Sequence, residues 1–204
     1  MKITIISGSH RNPSQSMKVA RHIQTSLRAK DSLDTIEIFS LAENPLPFWD
    51  QGLWMGDPKW PELLDPLHQQ LQQSDAFVIV TPEWHGQVPA GLKNLFLLCS
   101  ARELGHKPAL IIAVSSGDGG AYPVAELRMS SYKNNRICYI PEQIIVRKVE
   151  QVLNEDERQN DSRSDEFYRR RIDWALDILK AYAAALKPLR ESGIAQNEQF
   201  KNGM

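Results

Sequence analysis

Three stretches of the chain, residues 3–6, 76–80 and 109–114, are almost continuously apolar and rich in β-branched residues. A strand with one wet face alternates apolar and polar side chains. A strand that does not alternate has to be covered on both faces, as in a parallel sheet flanked by helices. The intervening segments repeat apolar residues at helical spacing: Met17, Ala20, Ile23 and Leu27, then Leu63, Leu64, Leu67 and Leu71 over residues 62–73. Further helical patterns cover 90–104, 124–131 and 167–186, the last using Ile172, Leu176, Leu179 and Leu186. Residues 35–39 alternate and add a strand, and 137–149, with Pro141 near its start, hold the last one. This succession predicts an α/β chain: a doubly wound, parallel five-stranded sheet in a three-layer α/β/α sandwich.

A chain of 204 residues is long enough to bury one full core, and residues 1–187 read as a single domain followed by a polar tail, 188–204. The 24 Lys and Arg nearly balance the 25 Asp and Glu, so no charge bias favours nucleic acid or an anionic membrane surface. Cys99 and Cys138 stand far apart in apolar surroundings and read as free thiols in a reducing compartment. The chain enters its first strand directly, without a charged leader, and no apolar run approaches membrane-spanning length. A cytoplasmic, soluble protein without metal-ligand spacing is the expectation.

In open α/β sheets ligands bind beyond the carboxyl ends of the strands, and here the three loops with chemical character all follow strands. The first, residues 7–16, passes through Gly8, Ser9, His10, Arg11 and Ser14 into a helix. Such a loop aims backbone N–H groups and the positive end of the helix dipole at one point. Ser9, Ser14 and Ser16 add hydroxyls, and Arg11 adds a fixed charge. The loop lacks a Walker lysine, the G-x-G-x-x-G spacing and a nucleophilic cysteine, so it reads as holding a phosphate rather than transferring one. The plainer alternative is an ordinary strand-to-helix turn in which Ser14 or Ser16 is the N-cap. Between the second strand and the next helix, residues 40–61 carry Trp49, Trp54 and Trp60. These read as anchors packing the loop on the body or as a wall over a ligand or a dimer contact.

Together these loops resemble the NADPH-dependent FMN reductase family of flavodoxin-like flavoproteins. The matching motifs are Gly8-Ser9-His10-Arg11 with Ser14 and Ser16; Pro82-Glu83-Trp84-His85-Gly86 with Pro89-Ala90-Gly91-Leu92-Lys93-Asn94; and Ser115-Ser116-Gly117-Asp118-Gly119-Gly120. The resemblance implies a flavodoxin-like fold and an FMN site. Ser9, Arg11, Ser14, Ser16 and the N–H of Met17 would surround the phosphate. Pro82, Glu83, Trp84, His85 and Gly86 would run along the isoalloxazine ring, with Ser115, Gly117, Gly119 and Gly120 at its other edge. Departures are Trp84-His85, where the family more often has Tyr-Asn, and Ser16, where Asn is usual. His85 is either a hydrogen-bond donor or an exposed loop residue. Glu83 is expected to matter through its backbone more than its carboxylate, and Lys93 to be a surface or interface charge.

The implied activity is FMN-dependent transfer of hydride from NADPH or NADH to a quinone, flavin, azo compound or similar small acceptor. No side chain need serve as acid or base. The alternative is a flavodoxin-type carrier without its own substrate, and such carriers tend to be strongly acidic, unlike this chain. The apolar stretch Leu95-Phe96-Leu97-Leu98 and the Trp-rich loop suggest a homodimer or dimer of dimers.

Overall fold

The computed structural model describes residues 1–30 and 35–203. In chain order the elements are β1 (Lys2–Ser7), α1 (Gln15–Lys30), β2 (Thr35–Ser40), α2 (Gly52–Met55), α3 (Lys59–Gln73), β3 (Ala76–Pro82), α4 (Ala90–Leu98), α5 (Ala101–Leu104), β4 (Pro108–Val114), α6 (Ala121–Met129), β5 (Cys138–Val146) and α7 (Ser162–Glu191). The strands form one parallel sheet in the order β2-β1-β3-β4-β5, the flavodoxin-like arrangement.

The absence of alternation in the central strands has a direct cause. On one face Ile5, Val78, Val80, Leu110 and Ile112 pack under Val19, Ile23 and Leu27 of α1 and Ile172, Leu176 and Leu179 of α7. On the other face Ile6, Phe77, Ile79, Ile111 and Ala113 meet Leu67 and Leu71 of α3, Leu92, Leu95 and Phe96 of α4, and Val124 and Leu127 of α6. Successive side chains of a strand point to opposite faces, and here both faces are dry. The chain leaves β1 for β2 on one side and returns to β3 on the other. The topological switch point, where such sheets open a crevice, therefore lies between β1 and β3. At that edge the Gly8 N–H donates to Val80 O at 2.8 Å. A Cβ on Gly8 would stand 2.6 Å from Leu92 Cδ2, so glycine lets the first loop cross the start of α4.

The expected helix over 90–104 is two helices. Cys99 and Ser100 are extended, and Ser100 opens α5 with a capping box: its Oγ accepts the Arg102 N–H at 3.1 Å, and the Glu103 carboxylate accepts the Ser100 N–H at 2.8 Å. Leu95, Phe96 and Leu98 are buried within the chain itself, and of that run Leu97 faces outward. Leu63 of α3 is exposed as well, contrary to the apolar face expected for its helix. The long 40–61 connection contains α2 and the start of α3. Trp60 is buried against Leu64 and Leu98, Trp49 packs partly on that cluster, and Trp54 stands outside it, edge-on to Trp49 at 4.6 Å. Helix α6 begins earlier than expected, at Ala121. Helix α7 continues past 186 to Glu191 with Pro188 inside it, so the expected boundary between 187 and 188 falls within the helix. Beyond it, Arg136 donates to Ala195 O at 3.2 Å and Lys201 O at 3.3 Å, and also to Phe200 O. Met204, the end of the expected tail, lies outside the described residues.

Candidate functional site

Three loops meet beyond the carboxyl ends of β1, β3 and β4. In the first, Ser14 is the N-cap of α1: its Oγ accepts the Met17 N–H at 3.3 Å and its carbonyl the Lys18 N–H at 3.1 Å. Ser9 is buried and its Oγ accepts the Arg11 N–H at 3.2 Å. The Arg11 side chain is exposed and pairs with no acid among the described residues. Ser16 is not a cap. It is 1% exposed, and its hydroxyl has no hydrogen-bond partner among the described residues. The hydroxyls of Ser7 and Ser40, register partners at the ends of β1 and β2, are likewise buried without partners. Buried hydroxyls normally find partners. Gln15 Oε1 at the start of α1 is another such atom, and of these four residues Gln15 and Ser40 line the groove that runs along α1. Ser7 and Ser40 escaped the sequence reading because each merely ends a strand.

A groove of about 780 Å³ runs from this loop along α1 toward residues 150–159. Arg11, Ser14 and Met17 line it, but no candidate of the second or third loop does, so it accounts for the phosphate end of a ligand only. Lys18, also on its wall, is committed elsewhere: its ammonium donates to Val149 O at 2.6 Å, Val152 O at 2.8 Å and Asn154 Oδ1 at 2.7 Å. His22, deeper along the wall, has its pKa lowered by burial and by the neighbouring Arg169 guanidinium.

The second loop leaves β3 at Pro82, and the Glu83 N–H extends the ladder to Val114 O at 3.1 Å. Trp84 and Gln87 then exchange backbone hydrogen bonds of 3.1 and 3.0 Å, closing a two-residue turn whose tip residues, His85 and Gly86, have φ of 51° and 70°. Two successive positive φ values define a type I′ turn, which favours Asn-Gly-like pairs. His85 accepts this strain at an exposed tip, a feature concentrated at functional sites. Behind the turn, the His10 ring lies 6.3 Å from that of Trp84. The sequence reading gave His10 no role, yet it bridges the first loop, this turn and the start of α4.

The third loop is pinned on several sides. Ser115 Oγ accepts the Gly117 N–H at 3.2 Å, and Gly117 O accepts the Lys148 N–H at 3.1 Å. Ser116 Oγ donates to Glu150 at 2.6 Å. Gly120 has φ 102°, and a Cβ there would stand 2.3 Å from Ile145 Cγ2. The Glu83 carboxylate accepts the Gly120 N–H, so this side chain, expected to be secondary to its backbone, joins the second loop to the third.

Lys93 is neither free nor idle. Its ammonium meets Glu126 of α6 at 2.6 Å, and the same carboxylate accepts the Val88 N–H at 2.7 Å. Partial burial works to raise the Glu126 carboxyl, but Lys93 and the Val88 N–H outweigh it and hold it below its usual range. The adjacent Asn94, 4% exposed, accepts the Trp49 N–H at 2.8 Å and donates to Pro47 O at 2.9 Å, fastening the Trp-rich loop to α4.

Residues 1–151 match the family model of the NADPH-dependent FMN reductases. An NADPH azoreductase of Bacillus sp. (strain OY1-2) is 26% identical over 146 residues, 72% of this chain and 76% of that protein. A 2-hydroxy-1,4-benzoquinone reductase of Burkholderia sp. is 29% identical over 168 residues, 79% of this chain and 83% of that one. Among solved structures, the flavoenzyme NAD(P)H:(acceptor) oxidoreductase FerB of Paracoccus denitrificans superposes with a TM-score of 0.67 at 21% identity, covering 92% of this chain and 97% of that chain, a likeness of fold.

Proposed function

The chain belongs to the NADPH-dependent FMN reductase family, and from that membership we propose that it is an FMN-dependent NAD(P)H oxidoreductase whose acceptor is a quinone, azo compound, flavin or similar small molecule. The observation that carries the cofactor assignment is the groove at the N-terminal end of α1, lined by Ser14, Met17, Ser40 and an Arg11 that pairs with no acid among the described residues. A dianionic phosphate with a polyol chain behind it satisfies such a cradle.

In this reading Ser9, Arg11, Ser14, Ser16 and the Met17 N–H hold the phosphate. Pro82, Glu83, Trp84, His85 and Gly86 border the ring through backbone, with Ser115, Gly117, Gly119 and Gly120 opposite. When bound, FMN supplies the hydride-accepting and hydride-donating chemistry itself. The protein's part is to fix the ring plane, keep one ring face open to a flat substrate and present N–H groups to the ring edge. The tip N–H groups of His85 and Gly86 have no partner among the described residues and are available for this. A homodimer is part of the proposal. Phe48, Trp54 and Met55 are each at least 75% exposed on the loop fastened by Asn94, an apolar surface suited to a second copy. The unpaired Cys99 and Cys138 suit a reducing, cytoplasmic setting.

Steady-state oxidation of NADPH with a benzoquinone acceptor tests the activity. Sustained turnover that needs added or bound FMN supports a reductase with its own substrate. Reduction of the flavin without turnover would make the protein a carrier instead.

A further inference from the structure

Glu83 follows β3 and Arg147 follows β5, so they flank the loop that leaves the intervening β4. The Glu83 carboxylate accepts the Gly120 N–H. From the other side Arg147 Nε donates to Gly119 O at 3.0 Å and to Asp118 O at 2.7 Å. Gly119 C=O and Gly120 N–H are the two ends of one peptide plane. That peptide is trans, so its carbonyl and its N–H point in opposite directions. A single peptide group is thus held between an anion on its donor side and a cation on its acceptor side.

The surroundings are shaped for this contact. A Cβ on Gly119 would lie 2.8 Å from Glu83 Oε1, so only glycine lets the carboxylate come this close. Gly120 turns with positive φ against Ile145 and starts α6, whose N-terminal dipole favours the Glu83 charge. Both clamping residues have fixed backbones: the Glu83 N–H is bonded to Val114 O and the Arg147 N–H to the Tyr168 hydroxyl at 3.0 Å. Each contact is charge-assisted, the Glu83 contact part-buried and the Arg147 contacts at the surface, and both fix the orientation of the same peptide plane.

We propose that Glu83 and Arg147 are positioning residues that act as one unit through the Gly119–Gly120 peptide, fixing the 115–120 loop in the orientation that receives the flavin. The proposal rests on the FMN reading above. It assigns the Glu83 carboxylate to the loop and not to cofactor or substrate, and it gives Arg147 a role that no sequence motif marks.

The test is a double-mutant cycle of Glu83→Ala, Arg147→Met and the double variant in the full chain, with Glu83→Gln and Arg147→Lys as milder partners. Amide hydrogen exchange at Gly120, before FMN is added, reads the clamp without the cofactor. Each single variant should raise exchange at Gly120 by about tenfold, and the double variant should exceed neither single by more than about twofold. Glu83→Gln, which keeps an acceptor oxygen, should restore part of the protection. With FMN, each variant should bind about tenfold more weakly and shift the ratio of affinities for oxidised and reduced flavin. Unchanged exchange at Gly120, or independent effects that multiply in the double variant, overturns the clamp. Intact exchange effects with unaltered FMN affinity and redox ratio overturn its positioning role. A wild-type chain that protects Gly120 yet takes up no FMN removes the cofactor reading and leaves the clamp as loop structure alone.

Discussion

The imidazole of His10 occupies the space that a side chain on Gly91 would need: a Cβ there would stand 1.9 Å from His10 Nε2. Gly91 lies in the first turn of α4, where replacing glycine by alanine ordinarily stabilises by about 0.4–1 kcal/mol. Here Gly91→Ala must evict the ring that supports Trp84. Thermal melts of Gly91→Ala, His10→Ala and the double variant should show alanine at 91 destabilising the wild type and stabilising the His10→Ala background. Equal stabilisation in both backgrounds would mean that the His10 ring is not seated on Gly91.

For the phosphate cradle, Arg11→Ala should weaken FMN binding by about 1–2 kcal/mol, the scale of a partly solvated charge-assisted hydrogen bond. Ser9 lies deeper, and Ser9→Ala should cost a similar amount despite the smaller group removed. Titration of each variant with FMN, followed by quenching of flavin fluorescence, measures this. Unaltered affinity in both would move the phosphate elsewhere.

The turn at Gly86 makes a different kind of demand. The nearest side-chain atom to a Cβ there is Tyr122 Cδ2 at 3.7 Å, so space is available and the cost lies in the backbone at φ 70°. Gly86→Val should cost on the order of 1 kcal/mol or more in strain while leaving the core untouched. The expected product is folded, with near-normal far-ultraviolet dichroism, and colourless or altered in flavin absorbance. A yellow variant with normal turnover would show that the turn does not border the ring.

How far these features were legible depended on the range of the interactions. The non-alternating strands announced a doubly covered sheet because burial on both faces leaves no other composition. The three loops were legible because each follows a strand and carries its Gly, Ser and Pro residues in a contiguous motif, whereas the neighbours that require glycine at Gly8 and Gly120, Leu92 and Ile145, come from other elements. The break between α4 and α5 was readable too, since Ser100 and Glu103 have capping-box spacing, but the apolar run across it suggested one helix. Glu83, Arg147 and Asn94 were not readable in these roles. Their partners come from other strands and loops, and a carboxylate aimed at a distant backbone N–H leaves no pattern in its own neighbourhood.

Stability should fall on the acid side through two histidines. Burial lowers the pKa of His22, with Arg169 adding to the effect, and burial lowers that of His106, with Arg136 and Arg190 adding theirs. Both titrate near the ordinary value of about 6.5 once unfolded. Below that pH the unfolded chain takes up protons that the folded chain refuses, so stability present above about 6.5 is lost as pH falls toward the lowered folded values. Urea midpoints measured between neutral and mildly acid pH should decline less steeply for His22→Asn and His106→Asn than for wild type. Parallel declines would mean that neither ring is held neutral by its surroundings.

The central claim is that the loops after β1, β3 and β4 hold an FMN that NADPH reduces. Its most direct test is the visible absorbance spectrum of the purified full chain, reconstituted with FMN, freed of excess flavin and titrated anaerobically with NADPH. The account predicts flavin bands at about one per chain that bleach on adding NADPH and return on adding a quinone. A chain that retains no flavin after reconstitution, or one whose bound flavin keeps its oxidised spectrum under excess NADPH, contradicts it.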